Sequence, residues 1–256
     1  MLFPFFVYNV DKPEYISWRD LMSTPTPPAF VPVAIADLRP ETPELFHLTL
    51  KAPPEFLSAY TVPGQYVQIQ MEGMKPGFFA IASPPHKEQL EFLIKRGAPA
   101  ADAIGAKKAG ETLHVTAPGG KGYPLSHAHG RDVYVVGVGS GMAPLRALMH
   151  TLLSKRADFG TIHFLYGARK VAHIPYANDV KVWERDGVKV TLACSQPEPG
   201  TWSGATGHIQ DVFRGTRPTV AANSTIFVCG MKPMVEGVKA AFAELGVGAD
   251  RVFQNF

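Results

Sequence analysis

The stretch of residues 133–144 reads Val-Tyr-Val-Val-Gly-Val-Gly-Ser-Gly-Met-Ala-Pro. Its first six residues form a continuous apolar run, which is typical of a parallel strand buried on both faces. A glycine-rich turn and a helical pattern over residues 143–155 follow. Glycines at such a turn let the backbone approach a pyrophosphate, and the first turn of a helix offers free N–H groups to the same anion. The candidate phosphate-binding residues are Gly137, Gly139, Ser140, Gly141 and Pro144.

The alternative for this stretch is a tight strand-to-helix turn without a ligand. Met142 stands where the standard Gly-x-Gly-x-x-Gly motif has its last glycine, so the motif is incomplete. Pro144 suits the first turn of a helix, where no backbone N–H is needed. We take phosphate binding as the prediction because the glycines and the proline follow a buried strand.

The chain after this unit alternates between strand and helix patterns. Strands are predicted at residues 161–166, 188–193 and 225–228, and helices at residues 176–185, 209–213 and 233–245. Such alternation is typical of a doubly wound parallel sheet. We therefore predict an α/β nucleotide-binding domain over residues 128–256.

The chain before this unit has a different hydrophobic pattern. Short apolar or alternating runs are separated by Pro and Gly, which is typical of a β-sandwich or β-barrel. Strands are predicted at residues 31–38, 45–50, 66–71, 78–82, 90–95 and 112–116, with a short helix at 100–108. We predict a β-barrel domain over residues 30–127, with its boundary near residues 126–131. We predict that residues 1–29 are an N-terminal extension, with an apolar arm before a Pro-rich linker.

Composition excludes several classes of protein. The chain has 25 basic and 22 acidic residues, a net charge of +3, which does not favour a nucleic-acid partner. Its two cysteines, Cys194 and Cys229, are too few for an iron–sulfur cluster or a disulfide framework. Uncharged runs reach only about 16 residues, short of the roughly 18 that indicate a membrane helix. His127 and His129 lack a third ligand, so we expect no metal site.

Three blocks of sequence together resemble the ferredoxin–NADP reductase superfamily. They are residues 63–67 with 78–84, residues 137–144, and residues 229–234 with 251–256. The block Phe-Ala-Ile-Ala-Ser-Pro-Pro is most similar to the plastid reductase-like branch of the kiwifruit ripening-protein type. The resemblance covers about residues 30–256. It implies a flavin in a Greek-key barrel, a nicotinamide nucleotide in the second domain, and hydride transfer between them.

The resemblance places the family's flavin motif, Arg-x-Tyr-Ser, on residues 77–80. Phe79 stands for the Tyr and can stack on a flavin ring. Gly77 cannot offer the phosphate contact that Arg makes, and Ala80 cannot hydrogen-bond the flavin N5 through its side chain.

The family's second flavin-phosphate motif, Gly-x-x-x-Ser-x-x-Leu, falls on residues 97–104, with Ala101 in the place of Ser. Lys95 or Arg96 would then supply the missing charge. Tyr66 either faces the flavin or fills the barrel. The flavin-side candidates are Tyr66, Phe78, Phe79, Ala80, Ile81, Ala82, Ser83, Lys95 and Gly97.

On the nicotinamide side, the resemblance implies roles for Cys229, Gln254 and Phe256. Cys229 takes the place of the cysteine that lines the nicotinamide site, with Gly230 and Met231 beside it. Phe256 takes that of the terminal aromatic residue that covers the flavin, and Gln254 that of a Glu. The alternative for Cys229 and Phe256 is ordinary packing.

The choice between NADP and NAD stays open. Arg169 and Lys170 follow a predicted strand, where a basic residue tolerates the 2′-phosphate of NADP. The alternative for both residues is a pair of solvated surface charges. The family's Ser-Arg pair for that phosphate is replaced here by Ser195-Gln196, which favours NADP less.

The sequence and its resemblance therefore predict a flavoprotein oxidoreductase that transfers electrons between NAD(P)H and a second acceptor. The residues do not decide between FAD and FMN, and the resemblance to the superfamily favours FAD. The altered flavin motif predicts slow turnover. The alternative is a flavin-binding or reductase-like assembly protein with little activity. The expected partners are the nucleotide and an electron acceptor or larger complex, with no nucleic acid and no transmembrane segment. The expected compartment is the plastid in a photosynthetic eukaryote and the cytoplasm otherwise.

Overall fold

The computed structural model describes residues 29–255. The predicted extension lies outside them except for Ala29, and so does the candidate residue Phe256. The first half contains strands β1 (Val31–Pro40), β2 (Leu45–Leu50), β3 (Tyr66–Gln70), β4 (Gly77–Ala80), β5 (Leu90–Lys95) and β6 (Thr112–Val115). Helices α1 (Pro54–Ala59) and α2 (Pro99–Gly105) lie between these strands.

The first half is an antiparallel barrel. Its strands follow the order β4-β3-β6-β1-β2-β5. A bridge between Ile81 and Phe92 joins the segment after β4 to β5 and so connects the two edges of the sheet. Closing the edges removes the unpaired N–H and C=O rows that an open sheet leaves. The barrel core is apolar and includes Phe46, Leu48, Val67, Ile69 and Phe92, all fully buried.

The second half is a parallel sheet. It contains β7 (Val133–Val138), α3 (Met142–Ser154), β8 (Ile162–Ala168), α4 (Ala177–Arg185), β9 (Lys189–Cys194), β10 (Ala205–Thr206), α5 (Ile209–Gly215), β11 (Thr225–Cys229), α6 (Lys232–Glu244) and β12 (Val252–Phe253). The strand order is β10-β9-β8-β7-β11-β12.

Helices cover both faces of this parallel sheet. One apolar cluster packs α3 and α4 against the sheet through residues such as Leu148 and Trp183. A second cluster packs α5 and α6 against the opposite face through residues such as Phe213 and Phe242. Helices on both faces bury the apolar strands completely, as the continuous apolar run of β7 requires. The predicted fold class, a barrel followed by a doubly wound α/β half, is confirmed.

Most predicted elements differ from the observed ones by one or a few residues at their ends, and the short strands β10 and β12 were not predicted. Helix α2 ends at Gly105 rather than at residue 108, and β4 covers Gly77–Ala80 rather than residues 78–82. The sequence analysis missed α1, because Pro53 and Pro54 resemble a turn. Pro54 is in fact tolerated at the start of α1, where its missing N–H has no helical partner to lose. The domain boundary near residues 126–131 falls in the connection between β6 and β7 and stays a prediction.

Candidate functional site

A cavity of about 800 Å³ lies between the barrel and the carboxyl ends of β7 and β11. Its volume falls within the roughly 300–1,000 Å³ that is typical of ligand sites. The barrel contributes β4, the end of β5 and the start of α2, and the second half contributes the glycine turn and the segment after β11. Carboxyl ends of parallel strands are where open α/β sheets bind their ligands.

The glycine turn brings helix α3 close to β11. A Cβ on Gly141 would overlap the carbonyl oxygen of Cys229, so only glycine fits there. Gly139 has a φ of +56°, and its carbonyl accepts a hydrogen bond of 2.8 Å from the Tyr166 hydroxyl. Within residues 29–255, no side chain caps the N-terminus of α3. The positive end of the helix dipole therefore points towards the cavity, where it favours an anion.

The opposite wall is an aromatic hairpin of β3 and β4. Tyr66 pairs with Ala80 and lies edge-on to Phe78, with 5.3 Å between ring centres. Phe78 is 64% exposed, which makes it available to a planar ligand. Phe79 lies on the other face of the hairpin, opposite the buried Val67, yet it also borders the cavity.

Gly77 and Phe79 form one packing arrangement. A Cβ on Gly77 would lie 2.7 Å from Cε2 of the Phe79 ring, so this ring fills the space that a side chain at residue 77 would need. The family's Arg therefore cannot be accommodated here unless Phe79 moves. The glycine at residue 77 and the position of the ring at residue 79 therefore depend on each other in this structure.

Cys229 lies at the end of β11 and borders the cavity. Its Sγ donates to Oδ1 of Asn255 at 3.7 Å, and the Asn255 amide donates to the Gly64 carbonyl at 3.1 Å. Burial raises the pKa of the Cys229 thiol to about 11, so the thiol is neutral at pH 7. Asn255 thus ties the C-terminal segment, the thiol and the barrel together.

The cavity brings together a large part of the predicted site. The predicted residues that line it are Tyr66, Phe78, Phe79, Ala80, Lys95, Ser140, Gly141, Pro144, Cys229, Gly230 and Met231. The sequence analysis missed Asn255, although it lies in the recognised C-terminal block between Gln254 and Phe256. The sequence around Asn255 gave no signal, because the role of this residue depends on Gly64, 191 residues away.

Other predicted residues lie outside the cavity lining. Ile81, Ala82 and Ser83 are fully buried, and the Ser83 hydroxyl is engaged with the backbone of Gln89 and Glu91. Gly97, Gly137, Gly139 and Gln254 are also absent from the lining among the described residues. Of the two candidate cations, Lys95 borders the cavity, whereas Arg96 lies over the Phe46 ring at 4.9 Å. These roles stay predictions.

Arg169, Lys170 and Ser195 meet at the carboxyl ends of β8 and β9, away from the cavity lining. The Arg169 guanidinium donates to the Gln196 amide oxygen at 2.8 Å, and Lys170 pairs with Glu198 at 2.7 Å. Gln196 is neutral, so Arg169 keeps a positive charge that no carboxylate offsets in this pair. Glu198 instead offsets the charge of Lys170.

The parallel sheet and its glycine turn have the arrangement of a nucleotide-binding domain. A family model described as "Oxidoreductase NAD-binding domain" matches residues 135–240. These residues include the last four residues of β7, the glycine turn and the whole of β11. This match agrees with the predicted assignment of the chain to the ferredoxin–NADP reductase superfamily.

Individual relatives agree with this assignment. The chain is 29% identical over 244 residues to "Fruit protein pKIWI502" of Actinidia deliciosa, covering 87% of this chain and 76% of that protein. It is 27% identical over 221 residues to "Sulfhydrogenase 1 subunit gamma" of Pyrococcus furiosus, covering 83% and 74%. A structure of a ferredoxin NADP+ reductase from Neisseria gonorrhoeae with bound FAD and NADP matches with a TM-score of 0.75 and 15% identity, covering 89% and 99%. At that identity the match supports the fold.

Proposed function

We propose that this chain is a flavin-dependent reductase that takes electrons from NAD(P)H through FAD and passes them to a second acceptor. The observation that carries the proposal is the shared cavity, in which the aromatic wall of the barrel faces the glycine turn and Cys229. A hydride can move only between two rings that are held in near-attack contact. A cavity walled by both halves is the arrangement that such a transfer needs.

The residues of the barrel wall fit a flavin. Tyr66 and Phe78 offer aromatic surface, and Leu93 and Ile94 add apolar contact. Lys95 borders the same cavity and pairs with Glu44 only at 3.5 Å, so its ammonium group is free to contact a phosphate. When bound, FAD supplies the redox chemistry, while the protein positions it and tunes its electronics. We assign FAD rather than FMN to this site, in keeping with the expectation from the sequence.

The residues of the opposite wall fit a nicotinamide nucleotide. The uncapped N-terminus of α3 and the close approach of Gly141 to β11 serve the diphosphate. The neutral Cys229 thiol offers a compact, uncharged surface to the reacting ring, since only a thiolate would act as a nucleophile. Ala80 has no side-chain donor, so a hydrogen bond to the flavin N5 comes from backbone or water, and we expect slow turnover.

The pairing of the basic residues supports use of both nucleotides. Arg169 keeps its charge for a 2′-phosphate because its partner Gln196 is neutral. The charge of Lys170 is compensated by Glu198, and Gln196 stands where the family has an Arg that binds the phosphate through two N–H groups. The preference of the site for NADPH over NADH is therefore limited.

The acceptor is proposed to be a protein. The name "Sulfhydrogenase 1 subunit gamma" describes one subunit of an assembly. The "Propane 2-monooxygenase, reductase component" of Mycolicibacterium goodii is 28% identical over 230 residues, which cover 85% of this chain and 65% of that protein.

The compartment is a separate question. A search of the helices within residues 29–255 found none with the length and hydropathy of a membrane span. If the protein comes from a photosynthetic eukaryote, we propose that it is located in the plastid, and the similarity to the kiwifruit protein supports this. Cell fractionation would test the location.

The test is flavin identification followed by a reductase assay. The purified full chain is heat-treated, the released flavin is separated by chromatography, and reduction of an artificial dye by NADPH and NADH is followed. We expect FAD and measurable dye reduction. Gly141→Ala should lower the rate, whereas Gly215→Ala, in α5 and away from the cavity, should not. Bound flavin without any dye reduction would instead favour the assembly-protein alternative, and released FMN would correct the cofactor.

A further inference from the structure

A buried charge cluster joins the two halves of the molecule behind the cavity. Its centre is Arg146 on α3, whose side chain is only 12% exposed. Its Nε donates to Oδ2 of Asp179 at 2.6 Å. Its Nη1 donates to Oε2 of Glu91 at 2.5 Å and to the Ala82 carbonyl at 3.2 Å. Asp179 belongs to the α/β half, whereas Glu91 and Ala82 belong to the barrel. The Arg146 guanidinium therefore forms hydrogen bonds with both halves of the molecule.

Further groups hold this cluster in place. Lys87 pairs with the second oxygen of Glu91 at 2.5 Å, and His150 lies 3.5 Å from Asp179. Burial opposes ionisation of Asp179, but the neighbouring His150 and the hydrogen-bonded Arg146 outweigh it and lower its pKa to about 2. Burial also opposes ionisation of Glu91, but the hydrogen bonds and charges of Lys87 and Arg146 outweigh it and lower the Glu91 pKa. Both carboxylates are therefore charged at pH 7, and each depends on Arg146 for compensation.

Tyr176 extends the junction beneath the guanidinium. Arg146 lies over the Tyr176 ring at 4.5 Å, and the Tyr176 hydroxyl lies 2.9 Å from Nδ1 of His47. The Tyr176 N–H donates to Glu41 at 2.8 Å. His47 and Glu41 are barrel residues, so the contacts across the junction are polar, directional and numerous.

The position of Arg146 connects the cluster to both cavity walls. Pro144, two residues before it, lines the nucleotide wall. Ala80, two residues before the Ala82 carbonyl, lines the flavin wall, and β5 carries both Glu91 and the lining residue Leu93. Arg146 and the Ala82 carbonyl that it binds are therefore each two residues along the chain from a lining residue, one on each wall.

We propose that Arg146 is a positioning residue that sets the distance between the flavin wall and the nicotinamide wall. The inference rests on the proposed function, in which a hydride leaves the reduced nicotinamide and is taken up by the flavin. Such a step needs reacting atoms about 3–3.5 Å apart, and a misplacement of about 1 Å can cost roughly 100-fold in rate. Arg146 touches neither wall surface itself, so its effect falls on the rate of transfer rather than on binding.

The experiment compares Arg146→Met and Arg146→Lys with the wild-type holoprotein. Anaerobic stopped-flow gives the flavin reduction rate at saturating NADPH, and a separate titration gives the Kd for NADP+. We expect Arg146→Met to slow reduction about 10- to 100-fold with Kd changed less than about threefold, and Arg146→Lys to recover part of the rate. Arg214→Met is the matched control, because Arg214 also pairs with two carboxylates but lies on the surface of the α/β half. It should leave both values unchanged.

Hydrogen exchange of the protein without nucleotide gives a readout independent of activity. Arg146→Met should raise exchange in both β5 and the start of α3, because both lose their common partner. An unchanged reduction rate, or a rate loss matched by an equal rise in Kd, would overturn the proposal. If Arg146→Met does not fold, Glu91→Gln tests the barrel side alone, and it should slow reduction at least about threefold.

Failure of the proposed function gives a different result. In that case NADPH does not reduce the wild-type flavin at all, whereas the exchange pattern still reports on the junction. Unchanged exchange in both β5 and α3 would then refute the positioning role by itself.

Discussion

Replacement of Gly141 by alanine should damage both stability and nucleotide binding. The added Cβ would overlap the backbone carbonyl of Cys229, and neither α3 nor β11 can yield without moving a whole element. Overpacking of this kind costs about 1–3 kcal/mol. For a chain of 256 residues this corresponds to a melting temperature lower by about 2–12 °C.

The same overlap pushes the glycine turn away from the end of β11, and both line the nucleotide wall. A loss of about 1.4 kcal/mol of binding free energy weakens the nucleotide Kd tenfold, and we expect at least that much. Differential scanning fluorimetry would measure the stability, and calorimetric titration with NADP+ and NAD+ would measure the affinity.

Two other glycines serve as controls for this prediction. No atom among the described residues lies within 4 Å of a Cβ built on Gly139 or on Gly215. Gly139 has a positive φ, so Gly139→Ala isolates the backbone strain of about 1–2 kcal/mol without the overlap. Gly215→Ala carries neither cost and should be neutral or slightly stabilising. A Gly141→Ala protein with wild-type stability and wild-type nucleotide affinity would refute the reasoning.

Three further predictions concern the surroundings of the site. Arg169→Ala should raise KM for NADPH about tenfold and leave KM for NADH nearly unchanged, since only NADPH carries the 2′-phosphate. Equal rises of the two KM values in steady-state assays would argue against a contact between Arg169 and the 2′-phosphate. Asn255→Ala leaves the buried Gly64 carbonyl without its donor, so urea unfolding should show a loss of about 1–3 kcal/mol. Burial raises the pKa of Cys229 from 9.0 to about 11, so between these values the unfolded chain releases a proton that the folded chain keeps. Wild type should therefore lose more stability than Cys229→Ser on going from about pH 8 to about pH 10.5, and parallel losses would contradict the shift.

Local patterns were sufficient to predict the fold. The buried run of β7, the glycine turn and the alternating elements after it are short-range signals, and each depends on residues within one strand–helix unit. The barrel strands β2 and β5 were predicted with their observed bounds, because apolar runs punctuated by Pro and Gly mark strand ends. Helix α1 was missed because Pro at a helix start resembles a turn in sequence.

The site was predicted where a motif carries it and missed where long-range packing does. The glycine turn and Cys229 belong to recognisable blocks, and the cavity contains them. Asn255 acts through Gly64, and Arg146 acts through Glu91 and Asp179, which are 55 and 33 residues away. The hydrophobic periodicity of a single helix or strand gives no information about pairs that are so far apart in the sequence. The coupling of Gly77 to the Phe79 ring likewise depends on a rotamer that the residue types alone do not specify.

The central claim is that electrons pass from NAD(P)H into a flavin bound at the shared cavity. The visible absorption spectrum of the purified protein, taken before and after anaerobic addition of NADPH or NADH, tests this claim most directly. The account predicts a flavin spectrum that bleaches when either nucleotide is added, more slowly in Arg146→Met than in wild type. A flavin spectrum that persists unchanged after both nucleotides, or a purified protein that carries no flavin and takes up none, would contradict it.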